Sequence, residues 1–156
     1  LQGETSEPQQ LRARNVVLAT GSVPAQLPLE GVDLPGVLGT EEAIQLREIP
    51  DRIAVLSGQP WDVELAQYFQ AMGSKVTLIL NGDQLFSQAD RDTAQRLAKQ
   101  LHDTGITIKR RASVEAIRQG DDGSLEVVLA GGKGQVAVDK VLAARRLSNS
   151  AVVIPG

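Results

Sequence analysis

The segment from Ile53 to Leu80 alternates two short apolar runs with one helical pattern. Ile53–Leu56 and Lys75–Leu80 predict strands, and Pro60–Met72 between them predicts a helix with Gly73 just past its end. This order predicts a β-α-β unit. Because two strands joined by a crossover helix run parallel, the segment requires a parallel sheet with helices packed against it.

The segments that follow extend this pattern. Ala89–His102 predicts a second helix that ends at Gly105, and "ITIK" follows as a third strand. The period then changes to two in "SVEAI", "LEVVLA" and "VAVD", which predicts hairpins with "GGKG", residues 131–134, as one turn. The apolar run Val141–Ala144 is expected to return to the parallel sheet. These elements predict an α/β domain in three layers, with a parallel sheet, flanking helices and a β-hairpin or meander insertion.

The N-terminal part of the chain is less regular. Asn15–Ala19 is a short apolar run that leads into a glycine turn, which predicts a buried strand. Residues 23–39 are rich in proline and glycine and are expected to form an extended, turn-rich linker. Thr40 is positioned to cap a short helix, "EEAIQL".

The composition argues against several classes of function. There is no cysteine and only one histidine, so we predict no disulfide, catalytic triad or metal site. The net charge of -3 at pH 7 argues against a nucleic-acid-binding surface. No apolar run approaches the roughly 20 residues that a membrane-spanning helix needs, and the first residues do not form a signal peptide, so we expect a cytoplasmic protein without membrane contact. Neither end resembles a natural terminus, and we expect the chain to be a piece of a longer protein.

Two stretches carry a resemblance to a known family. "VVLATGSVP", joined to "IPDRIAVLSGQPWDVELAQYFQAMGSKVTLIL", resembles the pyridine nucleotide-disulfide oxidoreductases, especially their dihydrolipoamide dehydrogenase and mercuric reductase branch. "NGDQLF" and "DKVLAARRLSN" extend the resemblance over nearly the whole chain. The resemblance implies a Rossmann-like fold and a homodimeric parent that transfers electrons between NAD(P)H and a disulfide or dithiol through FAD.

The same resemblance implies a domain division. Residues 1–22 would end a segment of the FAD domain, 23–39 would be the linker, 40–150 the NAD(P)-binding-type domain, and 151–156 the return to the FAD domain. The rest of the parent flavoprotein would then be the partner of this chain, and its FAD would lie mostly outside these residues.

The family's phosphate-binding glycines are mostly replaced. They fall on Ser57, Gln59 and Asp62, and only the intervening Gly58 is retained. These four positions, together with Gly21, are the cofactor-binding residues that the resemblance implies. Glycine at the second position lets backbone approach a pyrophosphate, where the Gln59 side chain would intrude, and the charge of Asp62 would occupy the niche that attracts a phosphate and cap the helix itself.

The family's ribose-binding residue is also replaced. An acidic residue ends the second strand in NAD-dependent members, and basic residues lie there in NADP-dependent members. This chain has Leu80 and Asn81 instead, with Gln84 beyond. The resemblance therefore implies that NAD(P) binding is weakened or lost.

Glu64 matches a glutamate that pairs with a lysine beside the flavin in the family, which makes it the one catalytic candidate. The alternative is a solvated or salt-bridged helical residue. Trp61 is expected to pack in the core or in an interface rather than to cover the flavin. His102, late in its helix, is predicted to be structural, and Arg110–Arg111 and Arg145–Arg146 are weak anion-binding candidates.

A second hypothesis follows from the replaced residues. A degenerate Rossmann domain without its dinucleotide would act as a structural or protein-interaction module. Trp61 in an exposed apolar patch near Gln59 would favour this alternative.

Overall fold

The structure, a computed structural model, describes residues 12–17, 19, 21–24, 27–143 and 147–149. The chain divides into two compact units, residues 1–24 with 147–156 and residues 25–146. The elements in chain order are β1 (Ser22–Pro24), β2 (Val37–Leu38), α1 (Thr40–Ile44), β3 (Arg52–Val55), α2 (Pro60–Ala71), β4 (Lys75–Ile79), α3 (Arg91–Asp103), β5 (Thr107–Lys109), β6 (Val114–Gln119), β7 (Leu125–Leu129), β8 (Gln135–Val138), β9 (Lys140–Leu142) and β10 (Leu147–Asn149).

A five-stranded sheet organises the larger unit. Its strand order is β2-β9-β3-β4-β5, and every pairing in it is parallel. The predicted β-α-β unit is confirmed, with β3 and β4 adjacent and α2 between them in the chain. The predicted return to the sheet is also confirmed, because β9 lies between β2 and β3. β2 lies within the segment expected to be an irregular linker.

The two faces of this sheet contact different layers. Ile53 and Val55 belong to one core cluster with Phe69 of α2 and residues of α1 and α3. Ala54, between them on β3, belongs to a second cluster with Val127 of β7. This alternation is the period of two that a strand imposes, and it places helices on one face and a second sheet on the other. The predicted three-layer α/β architecture is confirmed.

The second sheet is the predicted meander. β6, β7 and β8 pair antiparallel in that order. The "GGKG" segment joins β7 to β8, and Gly131 and Gly132 have φ angles of 72° and 69°. L-residues with side chains rarely adopt that backbone conformation, so glycine suits this turn.

The smaller unit contains a pairing of its own. β1 and β10 are antiparallel, with Ser22 opposite Asn149. The prediction of a buried strand at residues 15–19 is wrong for the part described, because residues 15–17 are not in a strand and Val16 and Val17 are 74% and 88% exposed. An apolar run is buried only where another layer packs on it. Leu18 and Thr20 lie outside the described residues.

Three details differ from expectation or bear on function class. Gly39, not Thr40, is the N-cap of α1, and its N–H donates to Glu42 Oε2 at 2.6 Å. Met72, predicted to face inward, is 54% exposed because it follows the last turn of α2 as the C-cap. No helix in the described ranges has the length and hydropathy that crossing a bilayer demands.

Candidate functional site

The turn between β3 and α2 lies at the carboxyl edge of the parallel sheet. Ligands of open parallel sheets bind at this edge, which makes the turn the first place to look for a site. The Leu56 N–H donates to the Leu142 carbonyl at 2.9 Å and holds the end of β3 against β9. The Phe86 N–H donates to the Gly58 carbonyl at 2.9 Å, so the loop after β4 fixes the turn from the other side.

Gly58 is packed tightly in this turn. A Cβ atom added there would lie 2.7 Å from Leu80 Cδ2 and 3.4 Å from Leu85 Cδ2. Both leucines are buried, at 3% and 1% exposure. The one glycine retained from the family pattern is therefore required by the packing of apolar side chains around it.

The backbone donors of the turn are largely occupied. Gln59 is the N-cap of α2, and its N–H donates to Ser57 Oγ at 3.2 Å. Pro60 follows at the first helical position and has no N–H. The Asp62 N–H donates to the Gln59 carbonyl at 3.1 Å. An anion at this helix N-terminus would find few free N–H groups, which are the basis of anion binding at helix ends.

Asp62 is fully buried in the first turn of α2, at 0% exposure. Neither carboxylate oxygen has a hydrogen-bond partner among the described residues. Burial raises the pKa of Asp62, and the nearby Ser57 hydroxyl and Gln59 backbone oppose that rise without bonding geometry. The prediction that Asp62 caps the helix is wrong, because Gln59 holds the N-cap position and no N–H of the first turn donates to the Asp62 side chain.

Glu64 and Trp61 lie on the exposed side of α2. Glu64 has no ion pair or hydrogen bond from its side chain to another described residue, so the salt-bridged alternative does not hold within these residues. Trp61 is 55% exposed, so the expectation of core packing is wrong. Gly21, with a φ angle of 74°, belongs to the smaller unit. The cofactor roles of these residues stay predictions.

The remaining candidates fall into two groups. His102 is exposed in the last turn of α3, 3.8 Å from Asp103, as a structural residue would be. Arg111 pairs with Asp83 through Nε and Nη2, whereas Arg110 has no ion pair among the described residues. Arg145 and Arg146 lie outside the described residues. No group of acidic, histidine or cysteine side chains in the described ranges is arranged to hold a metal.

The sequence reasoning missed two residues of this edge. Asp83 follows β4 and Arg91 begins α3, and both line a cleft with Arg110 and Arg111, which follow β5. The signal was available in the pattern of elements, because the carboxyl ends of neighbouring parallel strands meet at one edge of the sheet.

Comparisons with known proteins agree with this architecture. A family model described as pyridine nucleotide-disulphide oxidoreductase matches residues 1–146. Dihydrolipoyl dehydrogenase 3 of Pseudomonas aeruginosa is 31% identical over 138 residues, which are 86% of this chain and 30% of that protein. A mercuric reductase of Bacillus cereus is 28% identical over 136 residues, which are 86% of this chain and 22% of that protein.

The solved structures that match include the HOCl-induced flavoprotein disulfide reductase RclA of Escherichia coli. Its TM-score is 0.77 at 31% identity, over 84% of this chain and 30% of that one. The chain therefore spans less than a third of the length of these relatives.

Proposed function

Because the chain belongs to the pyridine nucleotide-disulphide oxidoreductase family, we propose that it is the NAD(P)-binding-type domain of an FAD-dependent oxidoreductase, and that this domain holds NAD(P) weakly or not at all. The parent would transfer electrons between NAD(P)H and a disulfide or dithiol through FAD. A cytoplasmic, homodimeric parent is part of the proposal on the strength of the sequence resemblance.

The buried carboxylate of Asp62 carries the proposal. A pyrophosphate at the N-terminus of α2 would be drawn by the helix dipole and by free N–H groups. In this chain a carboxylate with no hydrogen-bonding partner occupies the first turn, and it is shielded from water. Charges of the same sign repel more strongly away from water, so a second anion there is disfavoured. The turn does not fit a dinucleotide.

The experiment is a calorimetric titration of NADH and NADPH into the full-length parent and into the 156-residue chain. Asp62→Asn removes the charge at nearly constant size, and Asp62→Gly restores the family's residue. We expect no saturation below millimolar concentration for the natural sequence. We expect about a tenfold gain in affinity for Asp62→Asn if charge is the main obstacle. Micromolar binding by the natural sequence would overturn the proposal.

A second candidate function is favoured by an apolar stripe on α2. Trp61, Leu65, Tyr68 and Met72 follow each other at spacings of four, three and four, which places them on one helical face. Trp61, Tyr68 and Met72 are 55%, 49% and 54% exposed. We name these four residues the α2 stripe. Exposed apolar groups of this kind mark surfaces that another protein segment covers.

We propose that the α2 stripe docks the flavin-binding part of the same parent chain. More than two thirds of the length of the relatives lies outside the residues that match, so ample polypeptide is available to cover it. The test uses Tyr68→Ser in the parent, with Ile44→Ser as the control because Ile44 is 66% exposed on α1. Tyr68→Ser is expected to increase flavin release on heating, and the control is not. Equal behaviour of the two variants would contradict docking.

A further inference from the structure

A surface cleft lies at the carboxyl ends of β4 and β5, beside the turn that holds Asp62 in strand order. Its volume is about 390 Å³. Its polar lining consists of three arginines, one aspartate and two glutamines: Arg91, Arg110, Arg111, Asp83, Gln84 and Gln95. The larger unit therefore carries a basic cleft at the edge where parallel sheets bind ligands.

Three separate segments bring these side chains together. Asp83 follows β4, Arg91 is the first residue of α3, and Arg110 follows β5 directly. The start of α3 is fixed by Asp90, whose side chain accepts a hydrogen bond from the Thr93 N–H at 3.0 Å. Arg91 is thus presented by a capped helix end and not by a free loop.

Arg111 is held in an unusual backbone conformation. Its φ angle is 49°, a region that residues with side chains rarely enter. The Arg111 N–H donates to the Gly82 carbonyl at 3.0 Å, and Lys133 Nζ donates to the Arg111 carbonyl. These two contacts fix the backbone from the loop after β4 and from the meander turn.

The charges of the cleft are unequal. Arg111 Nη2 donates to Asp83 Oδ2 at 2.6 Å, and the paired guanidinium lowers the pKa of Asp83. Arg91 and Arg110 have no ion pair with any residue in the described ranges. No second carboxylate lines the cleft. In a chain of net charge -3, two guanidinium groups therefore remain uncompensated at one place.

We propose that this cleft binds a phosphomonoester dianion through Arg91 and Arg110, with Asp83 holding Arg111 in place beside them. Guanidinium groups match the geometry of phosphate oxygens, and two of them balance its two negative charges. The volume is within the range of small-molecule pockets and accommodates a phosphate with a group attached. The site goes beyond the proposed function, because it requires neither a pyrophosphate at the turn after β3 nor a nicotinamide.

The test is calorimetry on the full 156-residue chain with three probes: inorganic phosphate, ribose 5-phosphate and adenosine 5'-monophosphate. Sodium chloride at equal ionic strength is the blank, because general screening also weakens surface charge effects. Equal affinities for the three probes would identify free phosphate as the ligand. A rise in affinity with the attached group would identify a phosphorylated metabolite. Absence of saturable binding by all three would overturn the proposal.

Matched variants separate the site from surface charge in general. Arg91→Gln and Arg110→Gln are each expected to weaken binding at least tenfold. Arg96→Gln is the control, since Arg96 is exposed on α3 and does not line the cleft. An equal loss in the control would overturn the assignment. Asp62→Gly is expected to leave the phosphate affinity unchanged, so failure of this site and failure of the proposed function are distinguishable.

Discussion

Arg52 and Asp139 bind each other through both backbone and side chain. The Arg52 N–H donates to Asp139 Oδ2 at 2.8 Å, and Arg52 Nη2 donates to Oδ1 at 2.6 Å. The Asp139 N–H donates in return to the Arg52 carbonyl at 3.0 Å. Since Asp139 joins β8 to β9 and Arg52 begins β3, this pair fastens the meander to the amino-terminal edge of the parallel sheet.

We expect Asp139→Ala to lower the Tm by about 3 °C at neutral pH, since several hydrogen bonds are lost but the side chains are partly solvated. Arg52 lowers the pKa of Asp139. A carboxyl whose folded pKa is depressed contributes stability that is present above its unfolded pKa of 3.8 and is lost as pH falls through the folded value.

Thermal unfolding from pH 7 to pH 2 measures this contribution. The natural chain should lose its advantage over Asp139→Ala only below pH 4. Asp121→Ala is the control, because Asp121 is exposed in a hairpin turn and has no side-chain partner among the described residues. A constant difference across the whole pH range would contradict the role of the ion pair.

The elements that the sequence predicted are those with local signals. Helix α2 was predicted from Pro60 to Met72 and runs from Pro60 to Ala71, because proline and glycine punctuate it and its apolar period is clear. The meander was predicted from alternation and glycine turns for the same reason. The run at residues 15–17 has a strand-like composition, but burial of a strand depends on a partner layer that composition does not reveal.

The site was predictable only in part. The replaced glycines indicated an altered turn, and the charge of Asp62 was recognised. Its complete burial and the contact of Gly58 with Leu80 depend on where the loop after β4 returns, which is a long-range property of the fold. The basic cleft was missed because its arginines come from two elements far apart in the sequence.

Gly58→Ala is expected to destabilise the chain by about 1–3 kcal/mol. The new Cβ would lie 2.7 Å from Leu80 Cδ2, and the buried Leu80 has little room to move away. Gly82→Ala is the matched control, since a Cβ at Gly82 meets nothing within 4 Å. Urea denaturation measures both. Equal stability of the two variants would show that Leu80 moves aside at little cost.

Asp62→Ala is expected to stabilise the chain at pH 7 by about 1 kcal/mol, because it removes a buried polar group without partners. The folded pKa of Asp62 is raised above its ordinary 3.8. The unfolded carboxyl therefore loses its proton more readily, and stability falls as pH rises above 3.8 until the folded group also ionises. The variant should lack this fall.

Urea denaturation at a series of pH values from 3 to 8 tests the sign. Asp92→Ala is the control, because Asp92 lies exposed in the first turn of α3, where its charge favours the helix. The control should be slightly less stable than the natural chain at pH 7. A stability gain for Asp62→Ala that is the same at pH 3 and pH 8 would show that ionisation of the carboxylate is not its source.

Trp61 should report the state of the α2 stripe directly, because it is the single tryptophan of the chain and is 55% exposed. In the 156-residue chain we expect acrylamide to quench its fluorescence with a constant within about twofold of that in the urea-unfolded chain, since the indole meets solvent in both states. Tyr68→Ser removes the neighbouring ring of the stripe and should raise the quenching constant slightly, whereas the exposed Ile44→Ser on α1 should leave it unchanged. Strong protection of Trp61 at low protein concentration would contradict an open stripe. Protection that grows with concentration would instead identify a second copy of the chain as the group that covers it.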